Sequence, residues 1–559
     1  MAAGAITNAR DLPQPTHSSD PPARQIAGAY AKWGPDLSRH VLGQYAAALV
    51  DRERRSVLLL QDSLGIQQAF YTVTDGVASF ASRLSDLVAM IGPVALDHAY
   101  LADAIATASL ASERTPYLGV SRLMAGQTWQ WSPERPPAKG RPWAPPAAQL
   151  LTRHAREADW AEGLRDILTG AIERHVPESG NTWCELSGGL DSTSVAALAG
   201  RLGRRVEAIT FVSRSGLSGG TDDTLSSHAA AVLGINRHTI DIDEYPPFHT
   251  VPDRFAAEPG TEIHRAQRDA YTRILHQHGV TTLLTGVGGD VAFGSEDCPP
   301  LHLADELLAG RLPGFLRELR TWMSGDPAAR PATFWIRNWV LPVISRQVRR
   351  QRGFGVGALH SPLPAWIRRD YLQRHGTPRA SRPGPVGLVD TTGLPLGRAI
   401  LWEEAFLQAA VIGETDSAER TTCTSHPLLD RPFLEFALMM PHGLRRTAGL
   451  DRVLQRRIMR GILPEPVRLR RDKGSNQAAF DSGLRNSRPW FSLLTYAPLL
   501  ADLGIVDGIA WANEVRRASA GVVESAPHFF MAATMECWLQ RLQLGVPAMD
   551  FQPNLEPPL

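Results

Sequence analysis

Lysine is nearly missing from this chain. Of 58 cationic side chains only Lys32, Lys139 and Lys473 are lysine, and the other 55 are arginine. Net charge is equally scarce, because 57 acids leave a formal balance of +1. That balance removes any global electrostatic reason for nucleic-acid binding or for attachment to an anionic membrane. Cysteine is limited to Cys184, Cys298, Cys423 and Cys537, widely spaced and without a CxxC pair. Such spacing excludes a disulfide framework, and a reduced cytoplasmic compartment is the expectation. No apolar run reaches the roughly 18–20 residues that span a bilayer. The N-terminus, MAAGAITNARDLPQPTHSSDPPAR, lacks the apolar core of a signal peptide and reads as a flexible tail over residues 1–26. No internal repeat is visible.

What is present is a chain of 559 residues, 43% of them hydrophobic. That is enough for more than one core at about 150 residues per domain. A Pro-rich stretch, SPERPPAKGRPWAPPAAQL, divides two textures. Proline continues neither helices nor central strands, so residues 132–152 read as a linker. Before it, over 27–131, come short β-like runs at Gln44–Val50, Ser56–Gln61 and Ala69–Val73. After it, over 153–545, strands alternate with helices, and residues 546–559 read as a second tail. The expected strands are Thr182–Leu186, Val206–Val212, His238–Ile242 and Thr281–Thr285. This alternation predicts an α/β fold with a parallel sheet, whose ligands sit at the carboxyl ends of the strands.

The strongest local signal lies at one such end, in ELSGGLDSTSVAALAG (185–200). Adjacent Gly188 and Gly189 let the backbone approach an anion, and the helix that follows offers free N–H groups. Ser187 and Ser192 add hydroxyls. Asp191 is misplaced in a phosphate loop unless a divalent cation lies between its charge and the phosphates. Asp290, in LLTGVGGDVAFG (283–294), falls at the end of another expected strand. Two carboxylates converging there suit Mg²⁺, which takes oxygen ligands and bridges phosphates.

The SGGLDS wording resembles the SGGxDS loop of the ATP pyrophosphatase family, and within it the chain resembles the asparagine synthetase class. Further landmarks occur in order: VEAITFVS (206–213), Thr221–Asp223 with His228, Gly286–Asp290, HPLLDRPFLEFALMMP (426–441) and ILPEPVRLRRDKG (462–474). The resemblance implies the adenine nucleotide α-hydrolase type of parallel sheet with helical insertions. It implies ATP bound by Leu186, Ser187, Gly188, Gly189, Asp191 and Ser192, with Val212, Thr285 and Gly286 around the nucleotide. It implies Mg²⁺ on Asp191 and Asp290. Lys473 falls where the family's catalytic lysine stabilises the intermediate of acyl transfer, one residue further from Leu463-Pro464 than the family spacing. A lysine retained in an arginine-dominated chain stands out, since its compact charge is not equivalent to arginine's planar fork.

The general base departs from the pattern. Val291 stands where asparagine synthetases carry Glu, and Val287 where β-lactam synthetases carry Tyr. Glu414 is the first candidate for that role, with Glu419 and His426 behind it. LGQYAAALVDRERRSVLLLQDSLGIQQAFYTVTDGVASFASRLSDLV (42–88) resembles the class's glutamine amidotransferase-like domain. Ala2 follows Met1 where a glutaminase would carry cysteine, and about 40 residues before Gly43 read as too few for the domain's first strands. A degenerate domain without glutamine hydrolysis is therefore the expectation.

Segment 301–382 carries 14 Arg against five Asp and Glu. With LPAWIRRDYLQRH (363–375), it resembles lasso peptide cyclases. That resemblance implies a macrolactam-forming, AMP-releasing ligase acting on a precursor peptide. Its implied partners are a leader-binding protein and a leader peptidase. Two rivals stay open: a small-molecule amide synthetase of the asparagine or β-lactam synthetase type, and an inactive scaffold.

Overall fold

The computed structural model describes residues 1–13, 20–92, 94–141, 143–146, 156–215, 223–251, 257–260, 262–295, 300–326, 328–345, 363–376, 394–415, 422–447, 449–471 and 477–545. The N-terminal region is a mixed domain built on an antiparallel sheet, order β1-β2-β3-β7-β8. Its strands are β1 (Ala2–Ile6), β2 (Gly43–Asp51), β3 (Ser56–Gln61), β7 (Thr128–Ser132) and β8 (Arg135–Gly140). Both faces of β2 are covered, as side chains alternate across a strand. Tyr45 and Ala47 join Ile26 and Ala29 of helix α1 (Pro22–Trp33). Ala46 and Ala48 instead meet Tyr71, Leu123 and Trp129. Tyr71 belongs to a second, three-stranded sheet of β4 (Phe70–Thr74), β5 (Val77–Ala81) and β6 (Ser121–Arg122). Helix α2 (His98–Thr107) starts on Asp97, which accepts from the N–H groups of Ala99 and Tyr100.

Two boundary expectations are corrected. Residues 2–6 are not a flexible tail: β1 pairs with β2 in register Ala2↔Ala47 to Ile6↔Gly43. The residues before Gly43 therefore include a first strand after all. Nor does the linker start at 132, since β8 pairs with β7 through Gly140↔Thr128 to Arg135↔Ser132. Pro136 and Pro137 are tolerated because β8 is an edge strand and the register shifts between Gln130 and Ser132.

The second region contains helix α3 (Glu157–His175) and a five-stranded sheet in order β11-β10-β9-β12-β13, parallel throughout. Four strands fall within about a residue of the expected ones: β9 (Thr182–Glu185), β10 (Val206–Val212), β11 (Arg237–Asp241) and β12 (Thr282–Leu284). Between them run α4 (Leu190–Arg201), α5 (Asp223–Leu233) and α6 (Arg265–Gln277). Helix α7 (Gly289–Phe293) follows β12. The fifth strand, β13 (Cys423–Ser425), is only three residues long and carried no periodicity to read. The chain leaves β9 in one direction for β10 and β11, then returns on its other side with β12. The switch point of this sheet therefore lies between β9 and β12, where a ligand crevice is expected.

Helix α8 (Arg369–His375) follows Trp366, which is buried against Trp511 with ring centroids 4.9 Å apart. Helix α9 (Leu396–Thr415), α10 (Arg431–Met439), α11 (Val453–Ile458) and α12 (Glu465–Arg468) complete the parts used below. Among the described residues no helix is long and apolar enough to cross a membrane.

Candidate active site

The loop after β9 and the loop after β12 meet at the switch point. Ser187 and Ser192 tie the first into a ring: the hydroxyls are 2.9 Å apart, and the Ser187 N–H donates to Ser192 Oγ at 3.2 Å. The first turn of α4 leaves the N–H groups of Leu190, Asp191 and Ser192 without helical acceptors, a cradle suited to an anion. Leu186 is buried, its N–H donates to Ile209 and its carbonyl accepts from Thr210 Oγ1 at 2.7 Å. It anchors the loop on the neighbouring strand.

The second loop fits against the first only because it is glycine there. A Cβ on Gly286 would stand 2.6 Å from the Ser192 amide nitrogen. A Cβ on Gly289 would stand 2.6 Å from Asp191 Oδ2. Thr285 is buried, with its hydroxyl 2.7 Å from His426 Nδ1. His426 thus ties the end of β12 to the residue after β13. Val212 ends β10, buried opposite Asp241 of β11.

Asp191 and Asp290, 99 positions apart in sequence, are brought together around one guanidinium. Arg452 donates from Nε to Asp191 Oδ1 at 3.0 Å and from Nη2 to Asp191 Oδ2 at 2.8 Å. The same Nη2 reaches Asp290 Oδ1 at 2.5 Å. Nη1 donates to Asp451. Burial opposes the charge of Arg452, but the carboxylates of Asp191, Asp451 and Asp290 outweigh it and hold its pKa above the usual arginine range. The backbone of Arg452 is left-handed, at φ 52° and ψ 37°. For a non-glycine residue that conformation costs roughly 1–2 kcal/mol. Here the five hydrogen bonds of the side chain to Asp191, Asp290 and Asp451 offset it.

The network continues outward. Asp451 accepts from Arg456 Nη2 at 2.6 Å, and Arg456 Nη1 donates to the Arg468 carbonyl at 2.7 Å. Buried Arg456 therefore links the acid pair to α12, the helix that leads into the Lys473 segment. Arg445 donates to the carbonyls of Val291 and Ala292 and so braces α7 behind Asp290.

These are the residues that sequence reasoning missed. Arg452 carried no usable signal, because one arginine among 55 does not stand out. Of the expected site residues, Leu186, Ser187, Gly188, Gly189, Asp191, Ser192, Thr285, Gly286 and Asp290 lie on these two loops, and Val212 ends the adjacent strand. Lys473 and Glu419 lie outside the described residues, and Glu414 is described only as backbone near the end of α9. Val291 is fully buried in the core and Val287 packs against it, so neither position supplies a base.

The donor set suits a hard divalent cation. Arg452 Nη2 is a stand-in ion, one positive centre within 2.8 Å of an oxygen from each carboxylate. All the groups around it are oxygens, as Mg²⁺ prefers.

Comparison with known proteins agrees with this geometry. Residues 163–540 match the asparagine synthase family, and residues 11–139 match the glutamine amidotransferase domain. Amidase chyE of Penicillium rubens is 24% identical over 445 residues, which cover 76% of this chain and 62% of that protein. Amidase chry2 of Gibberella zeae is 22% identical over 289 residues, covering 49% and 42%. A Mycobacterium bovis protein named as a glutamine-hydrolyzing asparagine synthetase is 27% identical over 291 residues, covering 50% and 43%. This chain thus spans less than two thirds of each relative's length. A family match over more than half of its residues, which includes the loops that carry Asp191 and Asp290, places the chain in the asparagine synthase family.

Proposed function

We propose that this protein is an ATP-dependent amide ligase that closes a macrolactam in a ribosomal precursor peptide. The carrying observation is the meeting of Asp191 and Asp290 on one cation beside the Ser187–Ser192 loop. A carboxylate is a poor electrophile, so amide formation from it needs activation. ATP would supply this by adenylating an Asp or Glu side chain of the peptide, with pyrophosphate leaving.

Ser187, Ser192 and the first turn of α4 would hold the phosphates by hydrogen bonds. Mg²⁺, held by Asp191 and Asp290, would supply charge compensation for the departing pyrophosphate. Arg456 and Asp451 would fix Arg452 and the approach to α12. Lys473 would stabilise the oxyanion as the peptide's N-terminal amine attacks and AMP leaves. Glu414 is the proposed base for that amine. Enclosing a peptide folded for ring closure supplies the proximity that a bimolecular reaction lacks.

The peptide reading rests on the arginine-rich segment and on the wording of 363–375. Trp366 of that wording is a core residue against Trp511, so its contribution would be to build the domain rather than to touch peptide. A leader-binding protein and a leader peptidase are the proposed partners.

The relatives named amidase and asparagine synthetase favour a second reading, a small-molecule amide synthetase. One assay separates the two. Protein, ATP and Mg²⁺ are incubated with a peptide bearing a free N-terminal glycine and an acidic residue several positions downstream. A product lighter by one water, with AMP formed, is expected. AMP formation only with free amino acids, or release of ADP, would overturn the macrolactam reading.

A further inference from the structure

The guanidinium of Arg452 occupies the space between the two carboxylates that the metal needs. Both Asp191 oxygens accept from it, Nε to Oδ1 at 3.0 Å and Nη2 to Oδ2 at 2.8 Å, and Asp290 Oδ1 shares the same Nη2 at 2.5 Å. Its remaining terminal nitrogen is held by Asp451, itself held by Arg456. The side chain is 9% exposed. It is not a surface cation that drifted inward: the left-handed backbone at 452 and the Asp451–Arg456 clasp aim it at the pair.

We infer that Arg452 is a built-in counter-cation that closes the Asp191–Asp290 pair to free divalent metal and makes metal binding depend on nucleotide. This rests on the reading of the site as an ATP site, and not on which amide is made. Arginine does not deprotonate in proteins, so the pair is always neutralised by about one charge while the guanidinium is in place. A free divalent cation arriving there has to break four charge-assisted hydrogen bonds, shed its own waters and lie beside a fixed positive charge. Nucleotide phosphates change the balance. Their oxygens offer the guanidinium a bidentate partner of equal quality, and the metal arrives already on them. Guanidinium and metal then exchange anions: Arg452 passes to phosphate and the two aspartates pass to metal. No charged group is left unpaired at either stage. The acid pair is also spared the repulsion of two unneutralised carboxylates when nucleotide is absent.

Lysine at 452 would not reproduce this arrangement. A single ammonium cannot occupy both Asp191 oxygens and Asp290 in the planar, forked geometry seen here.

The test is a Mn²⁺ titration of the full chain, read by water-proton relaxation enhancement. This reports protein-bound Mn²⁺ separately from Mn²⁺ carried on free nucleotide. The wild-type chain is expected to take up Mn²⁺ weakly alone and at least about tenfold more tightly with α,β-methylene ATP, the range of a usual coupling between two sites. Arg452→Met is expected to bind Mn²⁺ tightly without nucleotide, and the added change Asp290→Asn to abolish that gain. Equal wild-type affinity with and without the analogue overturns the proposal, even if Arg452→Met does not fold. So does an Arg452→Met chain that folds and binds Mn²⁺ no better than wild type. Equilibrium dialysis of the analogue locates the failure: an analogue that binds without Mn²⁺ uptake overturns the gating alone, and one that does not bind overturns the ATP-site reading and the gating with it.

Discussion

Gly289→Ala tests how closely the loop that carries Asp290 is fitted against Asp191. The new Cβ would lie 2.6 Å from Asp191 Oδ2 and 2.7 Å from Asp191 Cβ. It would also clash with Asp191 Cγ. Ordinary carbon contacts are about 3.5–4.0 Å, so the root of the Asp191 side chain must move by about 1 Å, and no rotamer change moves a Cβ. The loop has to give way, which should cost about 1–3 kcal/mol of stability. Displacing Asp191 also loosens its contacts with Arg452. Catalysis should fall further, because a misplacement of about 1 Å costs on the order of 100-fold. The assay is exchange of labelled pyrophosphate into ATP, run beside urea unfolding of the same preparations. Gly286→Ala tests the neighbouring contact. Its Cβ would stand 2.6 Å from a backbone atom, Ser192 N, which no rotamer change relieves. That variant should lose activity and about 1–3 kcal/mol of stability together. If Gly289→Ala kept both activity and stability, Asp191 would not be positioned by this contact and the reasoning would fail.

Glu262 is buried, which pushes its carboxyl up to about 7 despite the hydrogen bond from the Gly260 N–H. A raised acid binds a proton in the native state that the unfolded chain has released. Stability therefore falls as pH rises from about 4.5 to about 7, by about 3 kcal/mol in all, and Glu262→Gln should flatten that part of a pH–stability profile. Trp366→Ala should cost about 3–5 kcal/mol in urea unfolding, since it removes a fully buried indole packed at a tilt against Trp511. Asp430 is buried, accepts from Arg174 Nη2 at 2.5 Å and caps α10 at the Phe433 N–H. Asp430→Ala should cost about 2–3 kcal/mol by removing the partner of half-buried Arg174 and the cap of α10, and double-mutant cycles with Arg174→Ala should recover part of it.

Much of this architecture was legible because its signals are local. Strand–loop–helix alternation needs only neighbours in sequence, and it located four of five sheet strands to within about a residue. Glycines 188 and 189 with Asp191 marked the loop after β9 for the same reason. What failed to be read had no local signature. Strand β1 is five small and apolar residues, AAGAI, that become a strand only because β2 lies beside them. The edge strand β8 hides behind two prolines that usually mark a linker, and only its position at the sheet margin makes them acceptable.

The chain by itself determined that two glycine-bearing loops follow sheet strands and that each carries one aspartate. It also marked Lys473 and Glu414, by resemblance and by the rarity of lysine, as candidates for acyl-transfer roles. Tertiary structure alone decided that those aspartates share one cation, and that the cation is Arg452. Sequence separation hides this, since Asp191, Asp290 and Arg452 belong to three segments joined only when β12 returns beside β9 and α11 folds over the switch point. Composition hides it as well. In a chain where nearly every positive charge is arginine, only burial, hydrogen-bond geometry and a left-handed backbone distinguish the arginine that matters.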